Sequence, residues 1–353
     1  MSIIARLKEK AFTLYLRHLC SPRRIKNYLR NKIPEHPLNC AGIDLQRIKV
    51  AAIQFELRLV SNPEEYAGMM LDNVQKAAAA GAQLIVFPED NMLQLLGLLP
   101  GVADLKQNSA PEAALESLHP GLQLRDIFGF LSPYAESVYH ATFSELAKGF
   151  GVFILGGSIL LKTADNRLIS RAFLFNPEGK VVGYQDKSHL LPLEASWGMS
   201  CGSDLKVYTT SLGNLAFPIC MDATYFETFR ILALLGADLI MLPIANPEQY
   251  NYWKALRGIW PRVQESYVYG IKSALVGSNF FGFTFTGRSG IYAPLELTPN
   301  NDGVLAEASS WDKEEIVLAE LDIQALRTAR QKAEFFGSWN KELYAHYFPK
   351  VYF

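Results

Sequence analysis

Apolar segments that look like strands alternate with helical segments along most of this chain, and this alternation constrains the fold more than any other feature. Two hairpins are also predicted, with turns at residues 177–179 and 213–214. Apolar strands that alternate with helices form sheets whose faces are covered by helices. The sequence therefore predicts an α/β fold. The predicted strands include residues 48–57, 83–89, 152–160 and 238–245, and the predicted helices include residues 62–80, 137–150 and 223–237.

The alternation continues to the end of the sequence without a linker or an internal repeat. We therefore expect residues 46–353 to form one domain and residues 1–45 to form an extension. Apolar residues make up 49% of the 353 residues, which is ample for a core. The net charge is −1 and the body contains no basic cluster, which argues against a nucleic-acid partner.

Cysteine and histidine are sparse in this sequence. The four cysteines are too few and too scattered for a disulfide framework, and the six isolated histidines lack metal-binding spacing. No apolar run approaches the roughly 20 residues that span a bilayer. The N-terminus also lacks the features of a signal peptide. We therefore expect a cytoplasmic protein that uses no metal and no cofactor.

The extension combines an amphipathic helix with a basic stretch. One interpretation is a helix that packs on the body or on a second subunit. The other is a peripheral contact of residues 1–32 with the inner face of a membrane, with cations on anionic head groups. The unopposed basic residues slightly favour the membrane. The apolar face comprises Ile3, Ile4, Leu7, Ala11, Leu14 and Tyr15, and the basic residues are Arg23, Arg24, Lys26, Arg30 and Lys32.

Three reactive side chains each follow an apolar strand. Glu89 ends the segment FPE, Lys187 ends the segment YQDK, and Cys220 ends the segment FPIC. Taken singly, each has an ordinary explanation: a solvated loop carboxylate, a surface lysine and an inert core thiol. The ordered combination of the three is far more specific than any one of them.

This ordered series resembles the nitrilase superfamily of carbon–nitrogen hydrolases, in which a Glu, a Lys and a Cys follow three strands in the same order. The resemblance covers roughly residues 47–347 and includes the GGS strand at 156–158, the hairpin NPEGKVVGYQDK and the strand GADLIMLPIA. It implies a four-layer α-β-β-α sandwich, with two inner sheets and outer helices. It also implies a homodimer or a higher homo-oligomer.

The resemblance implies a role for each reactive residue. A thiol is only a few per cent ionised near neutral pH and needs activation. Glu89 is the expected general base for Cys220, the nucleophile, and Lys187 supplies a positive charge beside the thiolate and the oxyanion. The backbone N–H of Met221 would complete the oxyanion hole. Glu194 is expected to orient the lysine or the substrate; the alternative is a surface carboxylate.

Several further residues are expected near the substrate. Met221, Tyr225, Trp197 and Asn246 are assigned to substrate binding. Tyr225 and Asp222 could line the pocket or cap the helix that follows, and for Asp222 a cap is at least as plausible. Nitrile-cleaving members usually carry Trp-Glu after the cysteine, whereas Met-Asp here is more typical of members that cleave amide or carbamoyl groups.

Two apolar regions bear on the substrate. The long stretch between Glu89 and the helix predicted at 137–150 could form an apolar lid or acyl channel, or extra helices that pack against the extension. An aromatic cluster is interpreted first as interface or core and second as substrate-lining. The stretch contains Met92, Leu93, Leu95, Leu96, Leu98, Leu99, Ile127, Phe128, Phe130 and Leu131, and the cluster comprises Tyr250, Tyr252, Trp253, Trp260 and Tyr267.

Three functions are consistent with these features. The first is an amidase that hydrolyses a small-molecule amide, hydrophobic or long-chain, through a thioester, with a membrane surface as one possible setting. The second is an N-acyltransferase that hands the same acyl group to an amine, on a lipid or lipoprotein substrate. The third is a catalytically inactive, membrane-peripheral scaffold, against which the intact Glu89, Lys187 and Cys220 argue.

Overall fold

The computed structural model describes residues 3–34, 42–102, 123–256, 258–278, 283–333 and 340–352, with the backbone alone for 3–9. Its strands are β1 (Ile48–Glu56), β2 (Leu84–Val86), β3 (Phe153–Lys162), β4 (Leu168–Phe175), β5 (Val181–Asp186), β6 (Tyr208–Thr210), β7 (Gly213–Ala216), β8 (Leu239–Ile244), β9 (Tyr269–Ser278), β10 (Thr284–Phe285), β11 (Gly290–Tyr292), β12 (Val304–Glu307) and β13 (Glu315–Leu321). Its helices are α1 (Ile3–Leu19), α2 (Pro22–Arg30), α3 (Pro63–Ala79), α4 (Leu124–Phe150), α5 (Pro192–Ser196), α6 (Phe226–Leu234), α7 (Tyr252–Leu256), α8 (Trp260–Ser266), α9 (Ile323–Lys332) and α10 (Lys341–Tyr352).

The strands form two halves that meet at β1. The first half has the order β5-β4-β3-β2-β1, and the second has the order β9-β8-β7-β6. β1 pairs in parallel with β2 through Val50–Ala52 and with β9 through Phe55 and Glu56, while β13 pairs antiparallel with Ile48–Gln54 of β1. β11 and β12 extend the second half from β9. The predicted α/β sandwich is confirmed.

Side-chain alternation along β1 separates two apolar cores. Ala51, Ile53 and Phe55 point into the core that α2, α3 and α4 cover. Val50 and Ala52 point to the opposite face, into a core shared with the second half of the sheet and with α6 and α8. Successive side chains of a strand point to opposite faces, so a strand that is apolar at every position belongs between two layers.

Helix α3 begins and ends where its sequence signals lie. The Asn62 side chain accepts a hydrogen bond from the backbone N–H of Glu65 at 3.0 Å, and Pro63 occupies the first turn. Both features favour a helix start at this point. After the helix, Gly81 has φ 89°, a left-handed conformation that glycine adopts without strain.

Three predicted boundaries were wrong. The helix predicted at 137–150 begins at Leu124, because capping by Gln123 and Asp126 and the burial of its apolar face outweigh the hydrogen bond lost at Pro133. The hairpin predicted to turn at 213–214 turns two residues earlier, where the Thr210 hydroxyl accepts from the N–H of Leu212. The helix predicted at 223–237 is the shorter α6, preceded by a 3₁₀ helix, Cys220–Thr224.

Helix α2 of the extension packs on α3 and α4. Its Ile25 and Leu29 are fully buried, and Leu16 and Leu19 near the end of α1 are buried as well. On the opposite side of α1, Leu14 is 64% exposed, so the apolar face predicted there does not contact the described body. The side chains of Ile3, Ile4 and Leu7 lie outside the described residues.

The basic stretch is paired within the molecule. Arg24 forms an ion pair with Glu64, and Lys26 and Arg30 lie 3.4 Å and 3.2 Å from Glu145 of α4. For these three of the five basic residues the prediction of unopposed charge was wrong, because their partners lie far away along the chain. Among the described helices, none is long and apolar enough to cross a membrane.

Candidate active site

Cys220 lies in a sharp turn between β7 and α6. Its φ is 45°, an uncommon left-handed conformation for a residue with a side chain. Non-glycine residues in this conformation cost energy and often mark functional sites. The turn places the Cys220 thiol beyond the end of β7. Cys220 Sγ lies 3.6 Å from Asn246 Oδ1.

The Asp222 carboxylate holds this turn in place. It accepts hydrogen bonds from the N–H of Ile219 at 2.9 Å, of Ser188 at 3.0 Å and of His189 at 2.7 Å. The His189 ring nitrogen Nδ1 lies 2.8 Å from the same carboxylate. Because Ser188 and His189 directly follow Lys187, Asp222 fixes the cysteine turn against the lysine loop. Asp222 therefore acts as a local cap and as a brace between two loops.

Glu89 and Lys187 form a buried ion pair beside the thiol. Glu89 follows β2 and is 1% exposed; its Oε1 accepts from Lys187 Nζ at 2.7 Å. Its Oε2 accepts from the N–H of Ala245, at the end of β8, at 2.9 Å. The segments that carry Glu89, Lys187, Cys220 and Ala245 come from both halves of the sheet and meet in one buried place.

Glu194 is the second partner of the lysine. Lys187 Nζ donates to Glu194 Oε1 at 2.5 Å, and the other oxygen, Oε2, accepts from the N–H of Leu191 at 2.7 Å. Glu194 is buried in α5, so the surface alternative does not describe its position. Two carboxylates thus share one ammonium group.

Burial controls the protonation of this cluster. It raises the pKa of Glu89, with Lys187 opposing the rise and Glu194 adding to it. Burial and the Glu89 charge raise the pKa of the Cys220 thiol well above its ordinary value. Burial alone would lower the pKa of Lys187, but Glu89 and the other nearby negative charges raise it well above its ordinary value. A neutral thiol therefore faces a carboxylate of increased basicity and a fixed cation.

Two cavities adjoin this cluster, with Leu191 in the wall of both. The apolar cavity lies on the side of Glu194, and the polar cavity contains Cys220. The apolar cavity is lined by Asp90, Leu93, Leu124, Phe128, Leu160, Leu193, Glu194, Trp197, Ala245, Pro247, Phe283 and Phe285. The polar cavity is lined by Met221, Thr224, Asn246, Glu248, Gln249, Tyr250, Asn251, Lys254, Lys272 and Thr286, among others.

The structure separates the four predicted substrate-binding residues. Trp197 lines the apolar cavity, and Met221 and Asn246 line the polar cavity. Tyr225 lies outside both; it is half-exposed and stacks on His189 with ring centroids 4.3 Å apart.

The apolar stretch after Glu89 divides between two roles. Leu93, at the start of a 3₁₀ helix (Leu93–Leu98), lines the apolar cavity, as do Leu124 and Phe128 of α4. Met92, Leu95 and Leu96 are buried in the core that also contains α2. Residues 103–122 of this stretch lie outside the described residues. The described part of this stretch therefore contributes both to the wall of the apolar cavity and to the helical core, and an acyl channel or lid stays a prediction.

Sequence reasoning missed many of the cavity residues, among them Asp90 and Lys272. Asp90, next to Glu89, lines the apolar cavity. Lys272 lines the polar cavity from the middle of β9, and a lone lysine inside the apolar segment YGIKSALVG was a signal that could have identified it. Tyr250, interpreted first as interface or core, also lines the polar cavity and stacks on Trp311 with centroids 5.8 Å apart.

Comparison with known proteins identifies the family. Residues 49–331 match the carbon-nitrogen hydrolase family model. The chain is 27% identical to "Probable hydrolase YhcX" of Bacillus subtilis over 315 residues, which cover 88% of this chain and 54% of that relative. This chain therefore spans little more than half of the relative's length.

Two further proteins are similar to this chain. An (R)-stereoselective amidase from Pseudomonas sp is 27% identical over 265 residues, 74% of this chain and 81% of the relative. A solved mutant of a Nesterenkonia amidase, with the acetamide moiety of fluoroacetamide added covalently to its active-site cysteine, is similar in fold: its TM-score is 0.56 at 18% identity, over 83% of this chain and 98% of that chain. The family match over most of the sequence confirms the prediction that this chain belongs to the nitrilase superfamily and is a carbon–nitrogen hydrolase.

Proposed function

We propose that this enzyme hydrolyses amides through a thioester at Cys220, with Glu89 as the general base. The observation that carries the proposal is the buried contact of Lys187 with both Glu89 and Glu194, beside a thiol held in a left-handed turn. Nucleophile, base and cation thus come from different strands to one site. The amidase among the relatives supports amide chemistry, and the covalent adduct in the Nesterenkonia enzyme supports a nucleophilic cysteine at this position.

The proposed first half-reaction forms the thioester. Glu89 takes the proton of Cys220 as the sulfur attacks the carbonyl carbon, and the carbonyl oxygen becomes an oxyanion. Lys187 and the N–H of Met221 stabilise that negative charge. The N–H groups of a first helical turn have no partner within the helix, which suits this task. Glu89 then returns the proton to the leaving nitrogen as the C–N bond breaks and the amine departs.

The proposed second half-reaction regenerates the enzyme. Glu89 removes a proton from water, whose oxygen attacks the thioester carbon. The C–S bond then breaks, the acid departs, and the sulfur regains the proton from Glu89. A base that works in both directions benefits from a pKa raised toward neutral pH, and burial raises the pKa of Glu89 in this sense.

We propose a hydrophobic acyl group for the substrate. The apolar cavity beside Glu194 supports this: its side chains are mostly aliphatic and aromatic, with Asp90 and Glu194 as the carboxylates in its wall. Removing apolar surface from water is worth about 25 cal/mol per Å². Each methylene that enters the cavity should therefore improve kcat/KM.

Intact-protein mass spectrometry tests the amidase proposal. The enzyme is incubated with amides of increasing acyl length and then denatured rapidly, beside Cys220→Ala and Glu89→Gln. We expect an adduct of one acyl group on the wild type, none on Cys220→Ala, and release of the free acid. If no amide gives an adduct or a free acid with the wild type, the proposal is wrong.

N-acyl transfer is the alternative outcome of the same thioester. Product analysis with an added amine separates it: an N-acyl product that exceeds the free acid at moderate amine concentrations identifies a transferase. If the wild type gives no adduct, no free acid and no transfer product, the result favours the inactive scaffold.

We also propose a homodimer, a membrane contact of the N-terminal extension and a cytoplasmic location. The apolar side chains exposed on α6, among them Leu234 at 63%, support a homodimer interface, which sedimentation would test. The exposed Leu14 and Tyr15 of α1 support a membrane contact of residues 1–32, which cosedimentation with anionic liposomes would test; absence of binding contradicts it. The described cysteines are free thiols, in keeping with a cytoplasmic location.

A further inference from the structure

Lys272 is a buried cation that forms no ion pair with any residue in the described part of the chain. It lies in the middle of β9 and is 3% exposed. Among the described residues, its Nζ has no hydrogen bond and no ion pair; its nearest described contact is the face of the Tyr292 ring, 5.3 Å from the ring centroid. The nearby Glu307 carboxylate accepts from the Tyr292 hydroxyl at 2.7 Å and lies 3.5 Å from Arg288. It is therefore engaged elsewhere.

Such a lysine is expected to destabilise the folded state while it is charged. Burying a charge that is not paired is costly, and an apolar side chain of similar length would fill the same space at no such cost. Burial lowers the pKa of Lys272 to about 8, so that most of the group is still protonated near neutral pH. A cation kept in so unfavourable a position is expected to act on something that enters from outside.

The position of Lys272 indicates where that something binds. Lys272 lines the same polar cavity as Cys220. Tyr250 lines this cavity too, and its hydroxyl is buried with no hydrogen-bond partner in the described part of the chain. The Arg288 guanidinium lies near enough to Tyr250 to oppose the rise that burial causes in its pKa, but two of the Arg288 N–H groups donate to the carbonyl of Ala308 at 2.7 Å and 2.9 Å. Two unpaired donors thus share one cavity wall.

The other charges of the cavity balance each other. Lys254 and Glu248 lie 3.7 Å apart, and both are about half exposed. Lys272 is therefore the one cation of this cavity that lacks a described counterion. A ligand group with a single negative charge would balance it. A carboxylate fits, since it can accept from an ammonium and from a hydroxyl at the same time.

We infer that the polar cavity is a subsite for a carboxylate of the substrate, bound by Lys272 and Tyr250. This inference rests on the amidase proposal and names its substrate class: an amide with an apolar part for the apolar cavity and a carboxylate for the polar cavity. The reacting carbon would lie at Cys220, in the wall of the polar cavity. Removing Lys272 would leave the carboxylate buried without its countercharge.

A matched pair of amides tests this inference. The two share one scaffold, and one carries a free carboxylate where the other carries its neutral methyl ester. We expect the wild type to prefer the carboxylate and Lys272→Met to lose roughly tenfold or more in kcat/KM on it, with little change on the ester. Tyr250→Phe should lose several-fold on the carboxylate. Lys180→Met, which removes an exposed lysine, is the matched control.

A second measurement does not need hydrolysis. Iodoacetate and iodoacetamide alkylate the same thiol and differ in charge, and peptide mass spectrometry follows the alkylation of Cys220 alone. We expect the rate ratio of iodoacetate to iodoacetamide to fall several-fold in Lys272→Met and to stay unchanged in Lys180→Met. Thermal unfolding verifies that Lys272→Met folds; if it does not, Tyr250→Phe replaces it in both assays.

The two measurements separate the two proposals. If no amide is hydrolysed but the alkylation ratio falls in Lys272→Met, the subsite stands and the amidase proposal fails. If amides are hydrolysed while both the ratio and the preference for the carboxylate are unchanged in Lys272→Met, the carboxylate subsite is wrong.

Discussion

Lys187 contacts two carboxylates, and the two contacts have different consequences. The contact with Glu89 pairs the cation with the proposed base, whereas the contact with Glu194 adds a second negative charge to the same buried volume. That charge raises the pKa of Glu89 while the ammonium lowers it. We therefore propose that Glu194 is a positioning residue that also increases the basicity of Glu89.

Glu194→Gln should lower kcat/KM by roughly ten- to a hundredfold, as is typical when a supporting hydrogen bond is lost. Because the Glu194 charge raises the pKa of Glu89, its removal lowers that pKa. Glu89 is active when deprotonated, so the acidic limb of the kcat/KM profile should move to lower pH. A pH–rate profile of both enzymes checks this. An unchanged acidic limb would mean that Glu194 acts by geometry alone.

At the residue scale, the sequence could identify the reactive groups but not all of their partners. Glu89, Lys187 and Cys220 each end a strand segment, a local pattern that can be read directly. The contact of Asp222 with the N–H groups of Ser188 and His189 joins positions more than thirty residues apart along the chain, and no local pattern encodes it. Cavity residues depend in the same way on loop paths through space.

The two loops that carry Cys220 and Lys187 behave as one unit because Asp222 joins them. Three backbone N–H groups donate to this fully buried carboxylate. Backbone donors that lose their partner in a buried site each cost about 1–3 kcal/mol. The brace should therefore matter both for stability and for the position of the nucleophile.

Asp222→Ala should lower the free energy of unfolding by about 3 kcal/mol or more, because three buried N–H groups lose their acceptor. It should also reduce the rate of thioester formation, since the turn at Cys220 is no longer fixed. Urea unfolding and the acyl-adduct assay measure the two effects. Asp204→Ala, at an exposed carboxylate, is the control and should change neither. Equal stabilities of Asp222→Ala and wild type would contradict the proposed brace.

Helix α2 contributes to the core of the body, although the sequence presents it as part of a separate extension. Its cations pair with Glu64 and Glu145, which lie in α3 and α4. In the sequence the basic residues lie close together and their acidic partners lie far from them. The ion pairs can therefore be recognised only in the folded structure. Exposed ion pairs contribute little stability. The buried apolar residues of α2 should dominate.

Ile25→Ala should destabilise the protein by about 2–5 kcal/mol, because it removes a fully buried side chain from the core shared with α3 and α4. Leu14→Ala, at a position 64% exposed, is the matched control and should have an effect within about 0.5 kcal/mol. Thermal and urea unfolding compare the two. If both variants unfold like the wild type, α2 does not stabilise the body.

For the whole molecule, the cost of the proposed carboxylate site should appear as a pH-dependent loss of stability. The pKa of Lys272 falls from 10.5 to about 8 on folding. At roughly 1.4 kcal/mol per pKa unit, this burial costs about 3 kcal/mol while the lysine is protonated in both states. Below pH 8 the full cost applies. Between pH 8 and 10.5 the folded state has lost the proton that the unfolded state still holds, so the stability of the wild type rises with pH.

Lys272→Met should therefore be more stable than the wild type at pH 7, by up to about 3 kcal/mol, and the gain should shrink as the pH approaches 10.5. Urea unfolding from pH 6 to 10.5 measures this difference, with Lys180→Met as a control that should show no such trend. A variant that is more stable and yet discriminates less between carboxylate and ester would be the expected result for a residue that serves binding at the expense of stability. A less stable Lys272→Met would instead assign the lysine a structural partner, and with it a role in folding.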